Sequence, residues 1–188
     1  MVWLIVGVCL WSVAHLGKSA GRPVRSRVIE RIGEEPFKGI VAVSVLASVV
    51  LIVIGWRATP AEAVYAPSIW GYRAALVLMF LSIFLFAAST SPNVVARLLR
   101  HPQLTAVATW SLTHLLANGD KRSLVLFGGV GVWAIVTIVS INLRDGAWKR
   151  PDPQPASSAL KPLIGAAVGC GLLWLVHPWL FGVGVKVP

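Results

Sequence analysis

Four histidines are the residues of this chain whose type and setting could do chemistry: His15, His101, His114 and His177. His15 falls in the second half of the first apolar block and His114 within the fourth. His101 opens that fourth block, and His177 comes near the end of the last. A neutral imidazole has a free nitrogen lone pair, which makes it a common ligand for metal ions and haem iron. Two histidines from different helices can hold one haem inside a bundle, and an ionisable residue at membrane depth is a functional candidate by default. The alternative is that each imidazole hydrogen-bonds across helices or to a backbone carbonyl. Acids offer no competing chemistry. Glu30, Glu34, Glu35, Glu62, Asp120, Asp145 and Asp152 all fall in the connections, as do essentially all Lys and Arg. That placement counts against an ion pump or a carboxylate relay. Cys9 and Cys170 lie inside apolar blocks with no nearby partner, and read as small apolar fillers.

The elements that must position these histidines are membrane helices. The chain is 56% hydrophobic and only 13% charged, where a soluble domain carries about 25% charged residues. The apolar residues form long blocks, with charges confined between them. The expected fold is all-α: one domain over 1–188, a polytopic transmembrane helical bundle. Its spans are expected at about 1–17, 39–56, 70–90, 101–118, 123–142 and 160–181. Crossing roughly 30 Å of hydrocarbon takes around 20 helical residues. The first span is short unless it continues toward Ala20. The fourth is the weakest because it contains Thr105, Thr109, Ser111, Thr113 and His114, and if it does not cross, five spans remain. A signal peptide is disfavoured for the first block, since Met1-Val2-Trp3 opens without a basic residue and no small-x-small cleavage site follows.

Charge orients the spans. Lys18, Arg22, Arg25, Arg27, Arg31, Lys38, Arg97, Arg100, Arg144, Lys149, Arg150 and Lys161 fall on one side. Only Arg57, Arg73, Lys121, Arg122 and Lys186 fall on the other. The positive-inside rule then puts both termini outside the cytoplasm, periplasmic if the membrane is a bacterial inner membrane. The net charge of +10 reads as a topology and anionic-lipid signal. No recognised nucleic-acid module accompanies it. Trp3, Trp56, Trp70 and Trp179 fall at the expected outer boundary, where amphipathic rings favour the headgroups. The Pro- and Ser-rich stretch Arg144–Ala159 is expected to be a flexible cytoplasmic linker. Gly165-Ala-Ala-Val-Gly169 is a small-xxx-small face suited to close helix contact.

Several motifs carry a family resemblance. Arg31-Ile-Gly-Glu34-Glu35-Pro36-Phe37-Lys38-Gly39 resembles the "GE-x-P-(F/Y)-(K/R)-G" signature of the NnrU family. Arg100-His101-Pro102-Gln103-Leu104 matches as well. So do Trp110, His114-Leu-Leu-Ala-Asn118-Gly119-Asp120, Ser123-Leu-x-Leu-Phe127-Gly128 and the ending His177-Pro178-Trp179-Leu180-Phe181-Gly182. The resemblance covers nearly the whole chain. It implies a membrane protein associated with nitrite and nitric oxide metabolism in denitrifying bacteria. The family is similar to 15-cis-zeta-carotene isomerase, a membrane enzyme that carries haem b on histidine ligands. Its axial pair would carry over to His15 and His114, with His101 in the "RHPQ" element as the third candidate. The isomerase has a Cys three residues before its second ligand, and this chain has Ser111 there, so a thiolate change of ligand is not implied.

If the first span runs inward and the fourth outward, the thirteen residues from His101 to His114 cover about 20 Å of helix. A haem shared by His15 and His114 would require the fourth span to begin before Pro102, near Asn93, or to sit shallow. Otherwise His101 pairs with His15. The "RHP" element also resembles a segment that holds S-adenosylmethionine in membrane methyltransferases. Here, however, Leu104 and Ala106 replace the Tyr and Gly of that pattern, and a structural role fits better, with Pro102 in a first helical turn. Three functions follow as expectations. One is a haem protein doing isomerisation or electron transfer on a lipophilic small molecule such as a cis-polyene. Another is a non-enzymatic membrane factor that supports a nitric-oxide-handling complex. The third, a small transporter, is disfavoured by the lack of repeats and broken-helix pairs.

Overall fold

The computed structural model describes residues 1–19, 22–182 and 184–185, with backbone alone for residues 17–19, 22 and 23. The continuation of the first span to Ala20, and Lys186 on the outer side, lie outside the described residues. In chain order the helices are α1 (Val2–Ser19), α2 (Arg22–Ile32), α3 (Glu34–Ala58), α4 (Ile69–Ala88), α5 (Val94–Leu98), α6 (Pro102–Ala117), α7 (Lys121–Ser123), α8 (Gly129–Asp145) and α9 (Leu160–Phe181). A π-helical turn, Leu124–Gly128, joins α7 to α8, and a 3₁₀ turn, Ala156–Ala159, precedes α9. The all-α architecture agrees with the apolar blocks.

Four stretches are both long and apolar enough to cross a membrane among the described residues: Glu34–Ala58, Ile69–Ala88, Lys121–Asp145 and Ala156–Phe181. Their mean hydropathies run from 1.8 to 2.6. The apolar part of α1, Val2–Leu16, is shorter. α6 has 16 residues, about 24 Å at 1.5 Å per residue. Leu143, Val77 and Leu175 are at least 70% exposed on the long helices. Apolar surface on this scale is what acyl chains cover.

The chain divides into two compact units. The first comprises Met1–Val64 and Asp120–Gly146. α1 is its centre, packed on α3 and on α8. The α1–α3 pair is antiparallel and very close. A Cβ on Gly55 would lie 2.2 Å from the backbone nitrogen of Leu4, and one on Gly7 would lie 2.8 Å from that of Ile52. α8 runs parallel to α1, with Gly129 against Val8 and Trp133 beside Trp11. Small residues let helix backbones approach where lipid gives no hydrophobic drive to associate.

The second unit comprises Tyr65–Gly119 and Ala147–Pro188. Its centre is α4, flanked by α6 and α9. The hydroxyl of Ser82 donates to the carbonyl of Ala106 across the α4–α6 pair at 2.8 Å. Gly165 and Gly169 of α9 face Ala87 and Ile83 of α4, so the small-xxx-small stripe makes the expected contact. The polar fourth span is accommodated by its own backbone. Thr109 donates to the carbonyl of Thr105 and Thr113 to that of Thr109, each at 2.8 Å.

The structure moves several expected boundaries. α3 begins at Glu34, five residues before Gly39, because Gly33 takes a φ of 87° that starts a new helix. Glu34 and Glu35 then sit in the first turn, where carboxylates complement the helix dipole. Acids are therefore at helix ends as well as in loops: Glu30 lies in α2, and Asp145 closes α8. α6 does not reach back to Asn93. Asn93 caps the separate α5, its side chain accepting from Val95 and Ala96 N–H groups, and Pro102 stands in the first turn of α6. The Pro-rich linker is also pinned in places. Arg97 donates to the Pro151 carbonyl at 3.2 Å, and Val94 N–H donates to the Ser158 hydroxyl at 3.0 Å. Cys9 is exposed on α1 and Cys170 is half-buried on α9.

Candidate functional site

The two histidines singled out as axial ligands are prepared in the same way. His15 Nδ1 lies 2.9 Å from the carbonyl oxygen of Trp11. His114 Nδ1 lies 2.9 Å from that of Trp110. A carbonyl oxygen only accepts, so each ring donates its Nδ1–H, and the neutral imidazole keeps its lone pair on Nε2. This is the arrangement in which histidines bind metals, with the second ring nitrogen fixed by a hydrogen bond that orients the ligand and raises its basicity. Helix geometry makes it available, because the residue four positions back lies on the same face, one turn away.

The surroundings differ. His15 sits in an aromatic box within the first unit. Trp11 stacks on it with ring centroids 4.1 Å apart, and Trp133 of α8 meets it edge-on at 5.2 Å. Trp11 and Trp133 are themselves in edge contact at 5.8 Å. Trp133 is 8% exposed, and the indole N–H groups of both Trp11 and Trp133 are buried with no hydrogen-bond acceptor among the described residues. Buried orphan donors of this kind carry a cost of about 1–3 kcal/mol each. In the second unit His114 packs on Trp110, with centroids 4.7 Å apart and a 54° tilt. The ring of His177 in α9 lies 4.8 Å from that of Phe181. Ser111, one turn before His114, is 2% exposed, and its hydroxyl is among the buried groups without a partner.

His101 is placed differently. It occupies the N-cap position of α6 with φ −127° and ψ 63°, its carbonyl accepts from Thr105 N–H at 2.9 Å, and its side chain makes no cap hydrogen bond. His15 thus belongs to the first unit, and His101, His114 and His177 to the second. No cluster of three or more His, Cys, Asp or Glu occurs among the described residues. A cofactor here would be held by isolated imidazoles, which suits haem iron better than a caged divalent ion.

Sequence reasoning missed the tryptophans. Trp11 and Trp110 each stand four residues before a candidate ligand, and that repeated spacing could have been read from the chain. Trp133 had no such signal, since it approaches His15 from another helix.

The remaining motifs serve as structural punctuation. Asn118 ends α6, its backbone N–H and side-chain amide both donating to the His114 carbonyl at 2.8 and 3.0 Å. Gly119 passes so close to Tyr65 that a Cβ would lie 1.9 Å from its carbonyl oxygen. Asp120 starts α7, accepting from Ser123 N–H at 3.0 Å and Ser123 Oγ at 2.7 Å. The stretch from His114 to Ser123 therefore stops one helix, turns tightly and starts the next.

No significant match is found among curated proteins, and none among solved structures. The NnrU protein family matches residues 3–185. Its span takes in both units, both Trp-x-x-x-His turns and the helix-end motifs, and the chain belongs to the NnrU family of membrane proteins.

Proposed function

We propose that this membrane protein binds haem b through histidine, with His15 and His114 as the candidate ligands, each through Nε2, and acts on a lipophilic substrate such as a cis-polyene by isomerisation or redox chemistry. One observation carries the reading: both histidines stand four residues after a Trp and give their Nδ1–H to its carbonyl. The donor set fits the group, since imidazoles with a fixed tautomer are haem-iron ligands. When bound, the haem would supply a one-electron redox centre. The chain's own residues do the rest. The Trp11 and Trp110 carbonyls set the imidazole orientation, and Trp11 and Trp133 hold the His15 ring by its face and edge. The apolar helix surfaces exclude water. His101, at the start of α6, is the third candidate ligand in this reading.

The membrane is proposed to be a bacterial inner membrane with both termini periplasmic. The concentration of Lys and Arg in alternate connections supports that orientation.

The deciding experiment is an absorption spectrum of the detergent-purified protein, oxidised and reduced, beside His15→Ala and His114→Ala. The expected result is a Soret band with low-spin reduced bands that is lost in either variant. A folded wild type that stays colourless after haem supplementation during expression would remove the haem reading. The protein would then be read as a non-enzymatic membrane factor supporting a nitric-oxide-handling complex.

A further inference from the structure

α2 occupies the most basic connection of the chain, yet it is a helix of 11 residues. At about 100° per residue, Val24, Val28 and Ile32 form one stripe along it. Ser26 and Glu30 lie opposite. Arg27 and Arg31 flank the stripe on one side, and Arg25 flanks it on the other. Among the described residues both ends of this stripe stand open, Val24 64% exposed and Ile32 40%, with Val28 between them half-buried. α2 links α1 to α3, and α3 is one of the long apolar spans, so the segment emerges at a membrane face. The positive φ of Gly33 breaks the helix there and lets the chain change direction before crossing.

We propose that α2 is an interfacial helix that lies in the headgroup layer, its Val24–Val28–Ile32 stripe against the acyl chains and its arginines on the phosphates of anionic phospholipids. An apolar stripe bordered by arginine on both flanks is the pattern of helices that lie in a membrane surface, and cationic side chains at that depth are drawn to anionic lipid. On α2 itself four arginines, Arg22, Arg25, Arg27 and Arg31, stand against one acid, Glu30. Glu34 and Glu35 are both engaged by Lys38, at 3.3 and 2.9 Å. Arg25 is half-buried, its guanidinium over the ring of Phe37, 5.8 Å from the centroid.

The test places a nitroxide at position 24, 26, 30 or 32, one at a time, in full-length protein with Cys9→Ala and Cys170→Ala. Each is reconstituted in vesicles of phosphatidylcholine alone, or of phosphatidylcholine and phosphatidylglycerol in equal parts. Labels at 24 and 32 should collide with dissolved oxygen and be shielded from a water-soluble nickel chelate, and labels at 26 and 30 should do the reverse. The contrast should grow with phosphatidylglycerol, and that growth should vanish when Arg25, Arg27 and Arg31 are all changed to Gln. A second reading avoids labels on the helix: spin-labelled phosphatidylglycerol should be immobilised by wild type more than spin-labelled phosphatidylcholine, and equally once the three arginines are Gln. Four labels with the same accessibility, or a phosphatidylglycerol preference that survives the triple change, would overturn the proposal.

Discussion

The two units hold their helices together by different means. In the first, contact is backbone against backbone: Gly7 and Gly55 leave no room for a side chain between α1 and α3, and Gly129 admits Val8. In the second, the α4–α6 pair adds a hydroxyl bond, Ser82 to the Ala106 carbonyl, to a close approach at Gly71, where a Cβ would lie 2.9 Å from the Leu116 carbonyl oxygen, while α9 approaches α4 less tightly. Lipid supplies little hydrophobic drive between helices, so packing and polar contacts must do the work, and the second unit adds a buried interhelical hydroxyl bond to its close packing. The histidines follow suit. His15 is enclosed by aromatic rings from two helices, whereas His114 sits on a helix whose threonines bond to their own backbone. A tight apolar contact tolerates no added volume, and a hydrogen-bonded one tolerates modest change.

The largest effect that would break this contrast is steric. Gly55→Val should destabilise by about 3 kcal/mol or more, because its Cβ meets backbone and not a movable side-chain tip. Gly165→Ala in the second unit should stay within about 0.5 kcal/mol, since its Cβ has 3.8 Å to the nearest atom. Thermal unfolding in detergent reads both, and equal losses would refute the contrast. Next comes the aromatic box. Trp133→Ala should cost about 3–5 kcal/mol from lost burial, whereas Trp133→Phe should cost less and preserve the edge contact with His15. If the alanine variant melts like wild type, the box is not a structural element.

Smaller effects probe the hydroxyls of the second unit. Ser82→Ala should cost about 1 kcal/mol by removing a buried interhelical hydrogen bond. Ser111→Ala should be neutral or stabilising by up to about 1 kcal/mol, since its hydroxyl has no partner to lose. The opposite ranking in unfolding midpoints would show that the hydroxyls do not act as described.

The smallest effect concerns Glu62, whose carboxyl is held below its ordinary value by the hydrogen bond and charge of Lys121. A lowered carboxylate contributes stability above its unfolded pKa and loses it as pH falls through the folded value. Wild type should therefore melt slightly above Glu62→Gln at neutral pH, and the two should converge in acid, below the ordinary value of 4.5. The difference should be small because both partners are more than half exposed. A gap that widens in acid would reverse the assignment.

Much of this was legible in the chain. Apolar blocks located every long helix, because in lipid each backbone must satisfy itself and helices result. Pro102 marked the start of α6, and Gly165 and Gly169 marked a close packing face. The histidines were identifiable as candidates because little else ionisable lies at depth. The basic stretch around Arg25–Arg31 reads as a loop when charge is weighed alone, and only the spacing of Val24, Val28 and Ile32 reveals a helix. The signature around Gly33–Gly39 reads as a connection, but it is the first turn of α3. The Trp11 and Trp110 carbonyls were within reach of sequence reasoning, since they follow from helical period. The edge contact from Trp133 was not, because tertiary neighbours leave no local trace.

The π turn at Leu124–Gly128 has a consequence for comparing relatives. A π turn closes its hydrogen bonds over five residues where an α turn closes over four, so it holds one residue more than the winding it replaces. Deleting a single residue there would leave a plain α-helix, with Trp133 still on the side that meets α1. Within this span, a one-residue gap in an alignment records a change of winding and leaves the crossing and its register toward His15 intact.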